Sequence, residues 1–377
     1  MKISKKSVFA VIDGRKVGTL AQMKNGLVAF SYDEGWLNDG FSLNPYSLPL
    51  ERGVRIPDSY DPFDGLFGIF SDSLPDGWGR LLVDRMLVRH GFDPFTLNSL
   101  DRLSIVGSSG MGALEYIPAE GFEEEFDTGN LDELAEECSK ILASGDSSDL
   151  DRLFALGGSS GGARPKSFID IDGDKWIVKF PSSVDGPSIG RQEAEYMAAA
   201  SLCGIEVPEF RLLPSKKTDG YFAVKRFDRI GERRIHMVTA GGLLEASHRL
   251  PVLDYTMLMK LTLGLTHSYA ECRRLYRLMC FNVFAHNRDD HAKNFSYLID
   301  PASRKWKLSP AYDITWSVSM GGEHATSVHG NGRNPGVWEL VAVGSEVGLD
   351  KDFCLETAES ISKTVNEQLS EWLQMKR

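Results

Sequence analysis

The segment His286-Asn287-Arg288-Asp289-Asp290-His291-Ala292-Lys293-Asn294 reads H-x-x-D-x-x-x-x-N, and Asp313 follows downstream. In phosphoryl transfer one Asp accepts or orients the attacking hydroxyl, an Asn five residues on binds Mg²⁺, and a later Asp completes the metal site. Asp289, Asn294 and Asp313 fill those positions, with His286 as a supporting residue. The interval lets one turn aim a carboxylate at the nucleophile while sending an amide oxygen to the metal. The bland counterpart is an Asp/His/Asn cluster that caps a helix end and binds water. The β-forming runs 295–299 and 306–308 predict a hairpin that returns Asp313 to the metal.

Phosphates also need N–H donors and a cation. The run Gly157-Gly158-Ser159-Ser160-Gly161-Gly162 can supply the donors, because glycine lets backbone approach a ligand closely. Ser159, Ser160, Gly161 and Gly162 are the candidate phosphate contacts. Lys179 stands alone in the apolar strand Trp176-Ile177-Val178-Lys179-Phe180 and is similar to the V-A-I-K lysine that holds the α- and β-phosphates. An edge-strand lysine snorkelling to water would look the same. A glutamate on the next helix should pair with it; Glu195 is the first choice and Glu193 the alternate. The strand at 221–227 then runs into a hinge, where Val224, Lys225 and Phe227 are candidate ATP contacts, joined by His291 and Lys293 further on. Glycine loop, strand lysine, helix glutamate, hinge, catalytic Asp, metal Asn and metal Asp occur in the order a kinase fold requires.

These groups need a scaffold. Residues 8–32 alternate β-rich runs with the turns Asp13-Gly14 and Asn25-Gly26, predicting an antiparallel meander. Trp78 to His90 predicts a helix with Leu81, Leu82, Met86, Leu87 and Val88 on one side. Gly107 to Gly112 reads as a tight loop, an acidic stretch covers 120–127, and Leu131 to Ala143 predicts a helix facing inward with Leu131, Leu134, Cys138, Ile141 and Leu142. The polar run 144–149 reads as a linker. Strands at 167–171 and 176–180 follow, and 191–203 is Ala-rich and helix-favouring. After residue 250 the pattern is helical: Cys272, Leu275, Tyr276, Met279 and Val283 share a face, as do Ala358, Ile361, Val365, Leu369 and Trp372. The expected architecture is α+β, a protein-kinase-like bilobal fold with a β-rich N-lobe and helical C-lobe after a small α+β unit. The expected divisions are 1–145, 146–228 and 229–377.

The 377 residues carry a formal charge of -11, which opposes strong binding to nucleic acid by this chain alone. With 42% hydrophobic residues the chain can bury a substantial core. Its five cysteines are scattered, suggesting reduced thiols and no zinc site. The apolar run 8–12 is too short for a secretion signal and no run approaches a membrane span, so a cytoplasmic protein is expected.

Other chemistries fit less well. Gly158-Ser159-Ser160-Gly161-Gly162 satisfies the G-x-S-x-G of a serine hydrolase, but Arg164-Pro165 and a strand follow where the nucleophile elbow needs a helix. A metal-dependent hydrolase using His286, Asp289, Asp290 and His291 would lack the helical H-E-x-x-H spacing.

Several further segments resemble the HipA-like family of bacterial toxin kinases, over most of the chain. They are Val17-Gly18-Thr19-Leu20, Phe70-Ser71-Asp72-Ser73-Leu74-Pro75-Asp76-Gly77-Trp78-Gly79, Gly110-Met111-Gly112-Ala113-Leu114-Glu115, Lys225-Arg226-Phe227-Asp228-Arg229, Asp289 to Phe295 and Pro310-Ala311-Tyr312-Asp313-Ile314. The resemblance implies a serine/threonine protein kinase using ATP and Mg²⁺, which arrests growth by modifying a protein such as an aminoacyl-tRNA synthetase. It implies a small DNA-binding HipB-like antitoxin as partner, DNA contact only through that antitoxin, and autophosphorylation at Ser159 or Ser160. The family loop commonly reads Gly-Ala-Gln-x-Lys; here it is Gly162-Ala163-Arg164-Pro165-Lys166, and Pro165 removes a backbone donor. A pseudokinase that only binds an antitoxin is the alternative outside enzymology, and the retained Lys179, Asp289, Asn294 and Asp313 argue against it.

Overall fold

The computed structural model describes residues 4–120, 129–143, 147, 149–300, 303–318 and 320–375. The chain divides into two compact units. One comprises Met1–Gly190, Leu212–Val238 and Gly242–Glu245; the other comprises Arg191–Arg211, Thr239–Gly241 and Ala246–Arg377.

The first unit begins with the meander expected from its turn residues: β1 (Ser7–Ile12), β2 (Arg15–Gln22) and β3 (Val28–Tyr32). With β4 (Val54–Arg55) and β5 (Glu115–Ile117) they form an antiparallel sheet in the order β4-β3-β2-β1-β5. Four helices lie along this stretch of chain: α1 (Glu34–Asp39), α2 (Gly68–Ser71), α3 (Gly77–Arg89) and α4 (Ser99–Val106). On α3, Leu82, Met86 and Leu87 are buried as the periodicity requires, but Val88 points to solvent and Val83 takes its place inside. A stripe of 3.6-residue period cannot hold three consecutive positions, and Val88 falls on the far side.

The same unit continues through α5 (Leu131–Leu142), α6 (Leu150–Gly157) and most of a four-stranded sheet ordered β6-β7-β9-β8, from β6 (Lys166–Ile171), β7 (Asp174–Lys179), β8 (Phe210–Leu213), whose first two residues fall in the second unit, and β9 (Tyr221–Lys225). Trp78 and Leu82 of α3, Cys138 and Ile141 of α5, Leu150 and Leu153 of α6 and Trp176, Val178 and Phe180 of β7 share one hydrophobic core. Each such side chain contributes roughly 1.5–3 kcal/mol by leaving water. The acidic stretch from 121 and most of the polar run 144–149 lie outside the described residues. α6 and β8 have no counterpart among the expected elements. Each is short, and α6 ends inside the glycine run that conceals it.

The second unit is helical. α7 (Ile189–Leu202) supplies most of its residues to it, α8 (Ala240–Leu244) divides between the units, and α9 (Tyr255–Thr266), α10 (Tyr269–Phe284), α11 (Val337–Glu346), α12 (Lys351–Gln368) and α13 (Ser370–Met375) complete it. Cys272, Leu275, Tyr276, Met279 and Val283 of α10 are all buried. The face expected to run unbroken to Trp372 is interrupted: α12 stops at Gln368 and α13 restarts at Ser370, with buried Leu369 between them. All five cysteines are free, and four are buried. Among the described residues no helix is long and apolar enough to cross a membrane.

Candidate functional site

In the second unit, α10 ends at Phe284 and His286 adopts a left-handed conformation with φ 53°, turning the chain into the polar loop. What holds that loop is Asp290, 1% exposed. Its Oδ2 accepts from the Tyr255 hydroxyl at 2.8 Å and pairs with His324 Nδ1 at 2.9 Å, while Oδ1 accepts from the Thr326 N–H at 3.2 Å. Tyr255 accepts from Asn282 Nδ2 at 2.9 Å, and Asn282 Oδ1 accepts from Asn287 Nδ2 at 3.0 Å. Burial first, and then the Asp290 charge, push the Tyr255 hydroxyl well above its ordinary pKa, so Tyr255 keeps its proton and donates.

The chain of bonds reaches Asp289 itself. Ser317 Oγ donates to Asn287 Oδ1 at 3.3 Å and accepts from the Asp289 N–H at 2.8 Å. The Asp289 side chain is 64% exposed, with His291 Nε2 3.9 Å from its Oδ1. Thus the backbone of Asp289 is anchored while its carboxylate faces outward.

Asn294 closes the short 3₁₀ turn Ala292–Asn294, and its Nδ2 donates to Asp289 O at 2.5 Å. An amide nitrogen spent in this way leaves Oδ1 as the acceptor end. His291 opens the turn, its Nδ1 accepting from the Lys293 N–H at 3.3 Å. The expected hairpin is present: Ser296–Ile299 pairs antiparallel with Trp306–Leu308. It carries Ser309 N to Ser296 O at 2.8 Å and the Tyr312 hydroxyl to Lys293 O at 2.6 Å. Tyr312 and Lys293 are the chain neighbours of Asp313 and Asn294, so the hairpin draws those two together. Asp313 itself is held left-handed at φ 51°, a conformation Asp tolerates better than most residues.

The phosphate-side candidates belong to the first unit. The glycine loop follows α6, with Gly157 to Ser160 buried and Gly161 and Gly162 exposed. Ser159 Oγ donates to Ser109 O at 2.9 Å and Ser160 Oγ to Gly157 O at 2.6 Å, with Ser159 8% and Ser160 1% exposed. Gly158 N–H is spent on Phe154 O, Ser160 N–H on Gly157 O, and Gly162 N–H on the Asp76 carboxylate. Two N–H groups expected to face a phosphate, those of Ser160 and Gly162, are therefore engaged within the protein.

Lys179 ends β7 and lies directly across from Lys166 of β6 in the antiparallel register, so both leave the sheet on one face. Lys166 is 8% exposed, and a Cβ placed on Gly162 would lie 2.8 Å from its Nζ. Sequence reading nominated Lys179 and passed over Lys166; the two-residue period carried across the tight turn Asp172-Gly173 was the signal that could have found it.

Of the two helix glutamates, Glu195 is engaged within the second unit. It accepts from Trp372 Nε1 at 2.6 Å and from Arg191 at 3.2 Å. Glu193 is 3% exposed. At the expected hinge Val224 is buried, Phe227 half-buried, and Lys225 is paired with Asp174. Just beyond, Asp228 is fully buried: Arg226 Nη2 lies 2.8 Å and Arg229 Nη1 2.7 Å from its Oδ2, which also accepts from the Gly112 N–H at 2.7 Å. Burial alone would raise the Asp228 pKa, but Arg226 and then Arg229 hold it below the ordinary carboxylate range. This ties two family-like segments, 110–115 and 225–229, to each other. Among the described residues no cluster of three or more His, Cys, Asp or Glu side chains is placed to hold a metal.

Comparison with known proteins places these features. Residues 158–369 match the HipA-like C-terminal domain and residues 9–117 the HipA N-terminal domain. "Putative kinase Y4mE" of Sinorhizobium fredii is 25% identical over 344 residues, covering 81% of this chain and 76% of that protein. The HipA structure from the Shewanella oneidensis MR-1 toxin–antitoxin complex of HipA, HipB and operator DNA superposes with a TM-score of 0.72 at 17% identity, covering 98% of this chain and 91% of that one.

Proposed function

Since this chain belongs to the HipA-like family, we propose that it is a toxin kinase that transfers the γ-phosphate of ATP to Ser or Thr of a protein substrate. The observation carrying this reading is the loop in which the backbone of Asp289 is anchored and its carboxylate turned outward, with Asn294 and Asp313 drawn together by the hairpin. Asp289 would orient the substrate hydroxyl and take its proton. Asn294 Oδ1 and the Asp313 carboxylate are hard oxygen donors of the kind Mg²⁺ selects. When bound, the ion would neutralise phosphate charge.

In the first unit, Lys179 and Lys166 would hold phosphate oxygens, with the N–H groups of the 159–162 loop added once that loop turns to the nucleotide. Backbone at Val224, Lys225 and Phe227 would meet the adenine, and His291 and Lys293 would contact the nucleotide from the catalytic loop. Glu193, the buried member of the pair, is the better candidate to accompany Lys179, because Glu195 already serves Arg191 and Trp372. Autophosphorylation at Ser159 or Ser160 would need the loop to leave its packed position, and Ser159 lies nearer the surface. A HipB-like antitoxin as partner is supported by the S. oneidensis complex, and the charge of -11 fits DNA contact made through that partner.

Incubation of the purified chain with γ-³²P-ATP, Mg²⁺ and a bacterial lysate should label the chain or a lysate protein. Asp289→Ala should lower transfer about 10²–10⁴-fold, the range for losing a positioned acid–base group, and Asp313→Ala should abolish it. Labelling that survives both substitutions would sink the kinase reading.

A further inference from the structure

The segment Pro75-Asp76-Gly77-Trp78-Gly79 opens α3, and its neighbour in space is the glycine loop rather than its own helix. An Asp in the N-cap position ordinarily accepts from N–H groups in the first turn that follows. Asp76 makes no such bond; its Oδ1 accepts from the Gly162 N–H instead. Around that contact the two segments lie backbone to backbone. Trp78 N–H donates to Gly162 O at 2.9 Å. A Cβ on Gly77 would lie 2.4 Å from Gly162 O, and one on Gly79 only 2.1 Å from Ser160 O. Gly77 is also left-handed, with φ 45°. A Cβ on Gly161 would sit 3.2 Å from Asp76 Oδ1, so the carboxylate lies over the Gly161-Gly162 stretch. These glycines are accounted for by contact with the loop: any side chain would hold the two backbones apart.

A carboxylate accepting from a glycine-loop N–H stands where a phosphate oxygen would stand. We propose that Asp76 is a positioning residue acting as an internal anion, which seats the glycine loop against α3 and must give up the Gly162 N–H before a nucleotide phosphate can take it. The N-terminal part of the chain thereby sets how readily the loop accepts nucleotide. This rests on the kinase reading for the identity of the competing ligand, whereas the docking itself rests on the geometry alone.

The experiment has two arms on the full-length chain. Amide hydrogen exchange without nucleotide reads the docking: Asp76→Ala should speed exchange at Gly162 by about tenfold, the scale of one charge-assisted hydrogen bond. Asp76→Asn keeps an acceptor oxygen without the charge, so exchange should rise less. Titration with Mg-ADP reads the competition: both variants should bind about three- to tenfold tighter than the native chain, allowing for solvent screening of a half-buried group. Unchanged exchange at Gly162 in Asp76→Ala, or weaker Mg-ADP binding in variants whose melting curves match the native chain, overturns the proposal. Faster exchange with no Mg-ADP binding by any form counts for the docking and against the kinase reading.

Discussion

The glycine loop of the first unit and the catalytic loop of the second are held by opposite means. The catalytic loop is fixed by side chains: Asp290, Tyr255, Asn282, Asn287, His324 and Ser317 form a mostly buried relay of hydrogen bonds ending at the Asp289 backbone. The glycine loop is fixed chiefly through backbone, with Gly77 and Gly79 allowing the backbone at 160–162 to close on α3 and a few side chains, Asp76 among them, adding a bond each. A buried, fully bonded network has one good arrangement, since every broken bond strands a polar group away from water. A docked backbone edge loses little on release, because water can replace its hydrogen bonds. On the proposed reading, one loop would keep a geometry and the other would exchange partners.

The comparison can be broken most sharply at Asp290. Asp290→Ala would strand the Tyr255 hydroxyl, His324 Nδ1 and the Thr326 N–H, and should cost about 3–5 kcal/mol of stability, the range for deleting one partner of a buried charged group. Asp290→Asn, which keeps the shape, should cost visibly less. A denaturant titration decides it, and equal midpoints for the alanine variant and the native chain would mean that the network does not fix the loop.

Gly79→Ala tests the other side. Its Cβ would fall 2.1 Å from Ser160 O and 2.9 Å from the Pro75 Cβ. The backbones must separate, at about 1–3 kcal/mol as for other overpacked sites. The expected signature is a lowered melting temperature together with faster amide exchange at 158–162, the catalytic loop remaining protected. Loss of protection in both loops would show that they are not independent.

The smallest effect belongs to Ser159→Ala. Its hydroxyl makes a single 2.9 Å bond to Ser109 O. Removing it should cost about 1 kcal/mol and leave the loop seated, because Asp76 and Trp78 still hold Gly162. An effect as large as that of Gly79→Ala would transfer the anchoring role from the glycines to the serine.

Much of this was legible in the chain itself. The meander, the faces of α5 and α10, the hairpin before Asp313 and the order of the candidate site residues follow from period, turn chemistry and spacing, which are local and survive reading one residue at a time. The place of Val83 on α3 was legible too, since it falls between Met86 and Leu87 on the helix surface while Val88 falls on the far side. The role of Glu195 was not, because it depends on Trp372, a residue 177 positions away. The place of Lys166 was hidden for a like reason: it lies opposite Lys179 and beside Gly162, a relation created by strand pairing.

The seating of the glycine loop against the start of α3 could not have been read either. Gly157 to Gly162 announce only that the backbone is free to approach something. Whether that partner is a phosphate or Asp76 is settled by which atoms folding brings within hydrogen-bond reach. Sequence determines the inventory and local geometry of this protein, because residue types and intervals set turns, periods and available chemistry. Tertiary structure decides the pairings, because two groups distant in the chain meet only when the whole core has packed.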